Sequence, residues 1–182
     1  MNHSLKNHFL IAMPHLKDPH FQGTVTLLCD HDEDGAMGVI VNRVLDVQLS
    51  EILDQLDIHP LRHDEPVYFG GPVQLERGFV LHREPGPWKS TVEVSDGIHI
   101  TTSRDILEAI AEGWGPAEHL VALGYAGWTA GQLEEELARN AWLTCPATPE
   151  VLFNVPPDGK LGYLMGQLGI DYRMLTDQAG HG

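Results

Sequence analysis

The chain has 182 residues, and its 11 Lys and Arg against 26 Asp and Glu give a formal charge of −15 with histidine neutral. Hydrophobic residues make up 42% and charged residues 20%, which excludes disorder as the main state and suits one domain whose core needs no disulfide or metal. The charge also argues against a polyanion-binding protein, because nucleic-acid affinity rests largely on Lys and Arg neutralising phosphates.

The start, Met1 to His8, is polar, and the apolar run Phe9 to Met13 ends at Pro14, too short for a signal-peptide core. No stretch approaches the roughly 18–20 apolar residues of a membrane span, so no membrane partner is expected. Only residues 1–7 and 177–182 read as loosely ordered; the rest reads as one domain.

Phe9 to Met13, Thr24 to Asp30 and Ala36 to Asn42 read as strands, and His31 to Gly35 as the hairpin connection between the last two. Ser50 to Leu56 reads as a short helix capped by Ser50. Val67 to Phe69 and Gly78 to His82 read as strands around the turn Gly70-Gly71-Pro72. Thr91 to Val94 and Ile98 to Thr102 alternate apolar and polar around Asp96-Gly97, a strong hairpin signal. Ser103 caps a helix with Ile106, Leu107, Ile110 and Ala111 on one face, stopped at Gly113-Trp114-Gly115-Pro116.

His119 to Tyr125 is the most apolar strand and is expected at the centre. Thr129 and Gln132 have capping-box spacing for a helix that turns Leu133 and Leu137 inward and Glu134, Glu135 and Glu136 mostly to water. Pro149 to Phe153 suits at least one helical turn. Asp158 caps a last helix with Leu161, Leu164, Met165 and Leu168 on one face. Hairpins with helices between them predict an α+β fold with a mixed sheet.

Chemistry-bearing motifs are sparse. Asp30, Asp32, Asp34 and Gly35 match the first half of a calcium loop. Position twelve is Val41, where a bidentate Glu belongs, so the plain reading is an acidic solvated hairpin. His15, Asp18, His20 and His31 are weak candidates for a transition metal, since imidazole and carboxylate suit zinc or iron but the spacing fits no closed site. Gly124-Tyr125-Ala126-Gly127-Trp128 runs from strand toward helix, a junction able to hold a small anion or metabolite. It lacks G-x-G-x-x-G and a P-loop lysine, so no cofactor is implied. The Gly70-Gly71-Pro72 turn is a tight corner or the backbone-lined edge of a cleft, with N–H groups at Gly70 and Gly71 free to face a ligand.

Cys29 and Cys145 form no metal or redox pair, so reduced thiols in a cytoplasmic protein are expected. Cys145, beside an expected helix start, is the candidate for a reactive thiol of lowered pKa.

In order and spacing these pieces resemble the YqgE/AlgH family of bacterial proteins. The resemblance is carried by Phe9 to Pro14 with Asp18 and Phe21; by His31, Gly35 to Gly38 and Asn42; and by Gly70 to Val73 with Gly78 to His82. Thr102-Ser103 with Asp105, Gly113, Gly115-Pro116, Gly124 to Trp128, Gln132-Leu133 with Glu136, and Trp142 extend it. It implies a branched mixed β-sheet partly closed into a small barrel and surrounded by helices. The family has no agreed catalytic reaction, so no catalytic residue carries over. It has a transcriptional-regulator label, which the charge of −15 and the lack of a basic recognition helix make indirect.

Two functional classes stay open. One is a binding or regulatory module, with a protein partner or small ligand near Gly70, Gly71, Pro72, Gly124, Tyr125, Gly127 and Trp128. The other is a small enzyme or redox sensor using Cys145 or clustered histidines. The reading leans away from an enzyme and toward a monomer or weak homo-oligomer.

Overall fold

In a computed structural model, residues 4–59 and 64–170 are described; the tail 177–182 lies outside them. The elements in chain order are β1 (His8–Ala12), β2 (Val25–Asp32), β3 (Gly35–Ile40), β4 (Val44–Gln48), α1 (Leu49–Gln55), β5 (Pro66–Phe69) and β6 (Val73–His82). There follow β7 (Thr91–Ser95), β8 (Ile98–Thr101), α2 (Arg104–Glu112), β9 (His119–Thr129), α3 (Gln132–Ala138), β10 (Trp142–Pro146), α4 (Pro149–Asn154) and α5 (Lys160–Gln167).

The strands form one curled sheet in the order β10-β1-β2-β3-β9-β6-β8-β7, a half-barrel with helices around it. β5 branches from this path by pairing in parallel with β9, and β4 pairs with β5. The fold is therefore α+β with a branched mixed sheet. β9 is its hub, pairing with β3, β5 and β6.

The apolar alternation explains why the sheet is buried on both faces. In β1, Phe9 and Ile11 enter one cluster with Leu27, Val39 and Leu81. Leu10 and Ala12, the intervening residues, enter another with Leu28, Trp128 and Trp142. α1 and α2 cover the third cluster, where Leu53, Ile106 and Ile110 meet Val80 and Val121.

Several boundaries differ from the sequence expectation for physical reasons. β2 runs through His31 to Asp32, so the hairpin turn is only Glu33-Asp34. α1 is capped at Gln48, not Ser50: the Glu51 carboxylate accepts from the Gln48 N–H, and Ser50 Oγ instead donates to Asp64. Ser103 stands at the α2 N-cap but turns its hydroxyl to the Asp105 carboxylate.

Thr129 is still strand, and α3 is capped at Gly131; only Gln132 keeps its role, accepting from the Thr129 N–H. Asp158 lies in a 3-10 turn before α5, whose N-cap is Gly159. β10 has no counterpart in the sequence reading; it pairs with β1, with Cys145 opposite Phe9. Residues 4–7 are tied down: Ser4 Oγ donates to the His31 carbonyl, the Leu5 N–H to His31 Nδ1, and the Asn7 N–H to Leu28.

Candidate functional site

The site grows from one backbone reversal in β9. By strand alternation Val121, Leu123 and Tyr125 should share a face. Val121 and Leu123 do pack with the α1–α2 cluster, but Tyr125 packs on the opposite side, against Phe79. The residue between is Gly124, at φ +77°. Its left-handed conformation shifts the alternation by one position, as a β-bulge does.

The Gly70-Gly71-Pro72 corner locks that reversal in place. A Cβ on Gly71 would lie 2.1 Å from the Tyr125 carbonyl carbon, and one on Gly124 would lie 2.3 Å from the Gly71 carbonyl oxygen. Two backbones cross here with no room for a side chain. The Gly70 N–H is not free: it donates to the Leu123 carbonyl, while the Gly70 carbonyl accepts from Ile40. The expectation of open N–H groups at this turn is thus corrected for Gly70. The glycines position Tyr125.

Tyr125 forms the floor of an open cleft of about 610 Å³ together with Phe79, Met37 and Gly127. The Tyr125 and Phe79 rings meet edge to face, with centroids 5.8 Å apart. Asp30, Asp32 and Asp34 line the cleft from the β2–β3 hairpin, and Arg77 lines it from β6 with its guanidinium 5.4 Å from the Phe79 ring centre. Among the described residues none of the three aspartates enters an ion pair. A Cβ on Gly127 would touch only Tyr125 Cε2, at 3.5 Å, so the cleft is open above it.

Trp128 also borders the cleft but is 6% exposed and directed into the core. Its indole N–H donates to Glu136 Oε1, as does that of Trp142, each at 2.9 Å. Glu136 Oε2 accepts from Gln132. Glu134 accepts from His31 at 3.0 Å when that imidazole N–H is present. Two of the three glutamates expected to face water therefore hold buried partners.

His15, Asp18, His20 and His31 are not brought together. His31 is buried in β2 between Leu5 and Glu134, whereas His20 stacks on Phe69. Among the described residues no group of three or more His, Cys, Asp or Glu is placed to hold a metal ion.

The histidines that do gather were not foreseen: His119, His82 and His99 stand side by side in register across β9, β6 and β8. His82 is fully buried; its Nδ1–H donates to the Glu84 carbonyl and its Nε2 accepts from the Thr101 hydroxyl. Burial, foremost, holds its pKa below the ordinary value. His119 faces acceptors on both nitrogens, the Pro116 carbonyl at 2.8 Å and the Glu65 carboxylate at 2.7 Å. Burial opposes its charge, but the Glu65 hydrogen bond and charge outweigh burial and raise its pKa.

Neither thiol is activated. Cys145 lies in β10 rather than at a helix start, and burial pushes its pKa up, the reverse of the expected direction. Cys29 is pushed up to about 12 by burial, then by the adjacent Asp30 charge. Among the described residues no helix is long and apolar enough to cross a membrane.

A half-barrel branched at one central strand, with an aromatic-floored cleft beside the branch, defines the fold type. The chain belongs to the AlgH-like family, whose model matches residues 9–173. It is 54% identical to a UPF0301 protein of Hahella chejuensis over 178 residues, covering 98% of this chain and 96% of that one. A UPF0301 protein of Thiobacillus denitrificans is 53% identical over 182 residues, covering 99% and 98% of the two chains.

The solution structure of the AlgH protein from Pseudomonas aeruginosa superposes with a TM-score of 0.83 at 50% identity, covering 100% of this chain and 98% of that one. A crystal structure of a Corynebacterium diphtheriae protein shares the fold at TM-score 0.75 and 18% identity, covering 96% and 93%.

Proposed function

We propose that this protein is a binding module that acts in regulation through a protein partner rather than by contacting DNA. Its cleft takes a cationic side chain of that partner, the planar guanidinium of Arg or the ammonium of Lys. The supporting observation is the composition of one cleft: Asp30, Asp32 and Asp34 at the wall, and Phe79 and Tyr125 as an aromatic floor. Carboxylates attract the cation and ring faces accept it with little desolvation cost. Arg77, the cleft's own cation, lies over the Phe79 ring with its guanidinium carbon 5.4 Å from the ring centre, which supports the reading that this floor tolerates a guanidinium. The net charge of −15 steers basic partners toward the molecule.

Titration with a short Arg- and Lys-rich peptide, followed by NMR, tests the reading. The Tyr125 and Phe79 ring signals should shift, with affinity that falls as salt rises. Gly127→Leu, which projects a side chain into the cleft, should abolish the shifts, and Asp32→Asn with Asp34→Asn should weaken binding and flatten its salt dependence. Undiminished binding to Gly127→Leu would overturn the proposal.

A further inference from the structure

On the other face of the β6–β9 ladder lies a separate recess of about 500 Å³, bounded by α1, α2 and the sheet. Leu56, Leu75, Leu107, Val80, Val121 and Leu123 give it aliphatic walls. Its volume falls in the range of roughly 300–1,000 Å³ that small-molecule sites occupy, and its lining has their pattern of apolar walls with a few polar groups. The polar groups cluster where β8 runs into α2, at Thr101, Thr102, Ser103 and Arg104, with Gln55 on α1 and Glu76 on β6 beside them.

Arg104 spends one N–H on the Leu56 carbonyl at 2.5 Å, and its remaining donors have no partner among the described residues. The guanidinium is thus anchored at the rim with hydrogen-bonding capacity left over. The Asp105 carboxylate already occupies the first turn of α2, accepting from Ser103 Oγ and the Lys89 N–H, so the positive charge at the rim is that of Arg104. Glu76 lines the recess from a different element, β6; it and Arg104 are both exposed, so water screens the two charges alike.

We propose that this recess binds an aliphatic carboxylate, with the chain among Leu56, Leu107 and Val121 and the head group on Arg104. Each methylene taken from water among those side chains favours binding, and a guanidinium matches a carboxylate in a two-point hydrogen bond. The site stands apart from the aspartate-lined cleft, with which it shares no lining residue.

The test is an NMR titration of the full chain with decanoate and, in parallel, with 1-decanol. Decanoate is expected to shift the Leu56, Leu107 and Val121 methyl signals saturably and to bind about tenfold more tightly than the alcohol. Arg104→Gln should erase that preference. A Cβ on Gly78, which also lines the recess, meets nothing within 4 Å. Gly78→Val therefore places its Cβ in open space, narrows the recess and should abolish binding of both compounds. Equal affinity for acid and alcohol in the parent protein, or decanoate binding that survives Gly78→Val, would overturn the proposal.

Discussion

Replacing Lys160 by methionine should stabilise the protein by about 2 kcal/mol at pH 7. Lys160 is 1% exposed, and among the described residues its ammonium has one partner, the Val155 carbonyl at 2.8 Å. It enters no ion pair among the described residues. Burial lowers its pKa from 10.5 to about 8. At about 1.4 kcal/mol per unit, keeping the charge buried costs the native state about 3 kcal/mol at neutral pH. Methionine has similar length and no charge, but forfeits the hydrogen bond, worth about 1 kcal/mol.

The sign with pH follows from the same shift. Between pH 8 and 10.5 the unfolded chain binds the proton that the native state has released, so the parent gains stability as pH rises through that window. The methionine variant lacks this term, and its advantage should shrink from pH 8 upward and vanish near pH 10. Urea unfolding followed by tryptophan fluorescence at pH 7, 8, 9 and 10 measures the difference curve, with the Tm of the variant about 4–8 °C higher at pH 7. A methionine variant less stable than the parent by the same amount at every pH would refute the reasoning.

Gly71→Ala should cost at least about 3 kcal/mol, because the new Cβ lies 2.1 Å from backbone that cannot step aside; denaturant unfolding measures it, and a loss under 1 kcal/mol would show that the crossing is loose. His119 has a raised native pKa, so its bond to Glu65 contributes fully below the unfolded value near 6.5 and is lost as pH rises through the native one. Glu65→Gln should therefore destabilise by about 1 kcal/mol at pH 5.5 and by less at pH 9. Imidazole NMR titration should place His119 above the ordinary histidine value and His82 below it, and drop His119 in the variant.

Local pattern carried much of the fold. The Asp96-Gly97 hairpin, the stripe of α2 with its Gly113 stop, and the central place of β9 all follow from alternation, helical spacing and turn chemistry. What failed depended on tertiary partners. The strand of Trp142 to Pro146 is short and ends in proline, and only its pairing with β1 makes it a strand. Glu134 and Glu136 sit on a face that charge alone assigns to water, yet His31, Trp128 and Trp142 wait there.

The cleft was half legible. Tyr125, Gly127 and Trp128 stand out in the sequence through their glycine-rich strand-to-helix junction, and Asp30, Asp32 and Asp34 only through their likeness to half a calcium loop. Phe79 and Arg77 were out of reach, because a period-two reading sends Tyr125 to the wrong face unless Gly124 is known to reverse it. The Gly70-Gly71-Pro72 turn drew attention for conformational freedom. Its use is steric: three glycines let two strands cross at backbone contact.

The ladder between β6 and β9 breaks from Val73 to Gly78, where five steps along one strand face two along the other. Gln74 takes a left-handed conformation there, at φ +50°. Leu75 and Glu76 then turn to the aliphatic recess, while Arg77 turns to the aspartate-lined cleft. Three successive residues of one distorted segment thus serve two chambers on opposite faces of a sheet. An occupant that displaces this segment on entering one chamber alters the affinity of the other, and thermodynamic reciprocity makes the effect equal in both directions. Two ligands with no chemistry in common would then sense each other across a single layer of backbone.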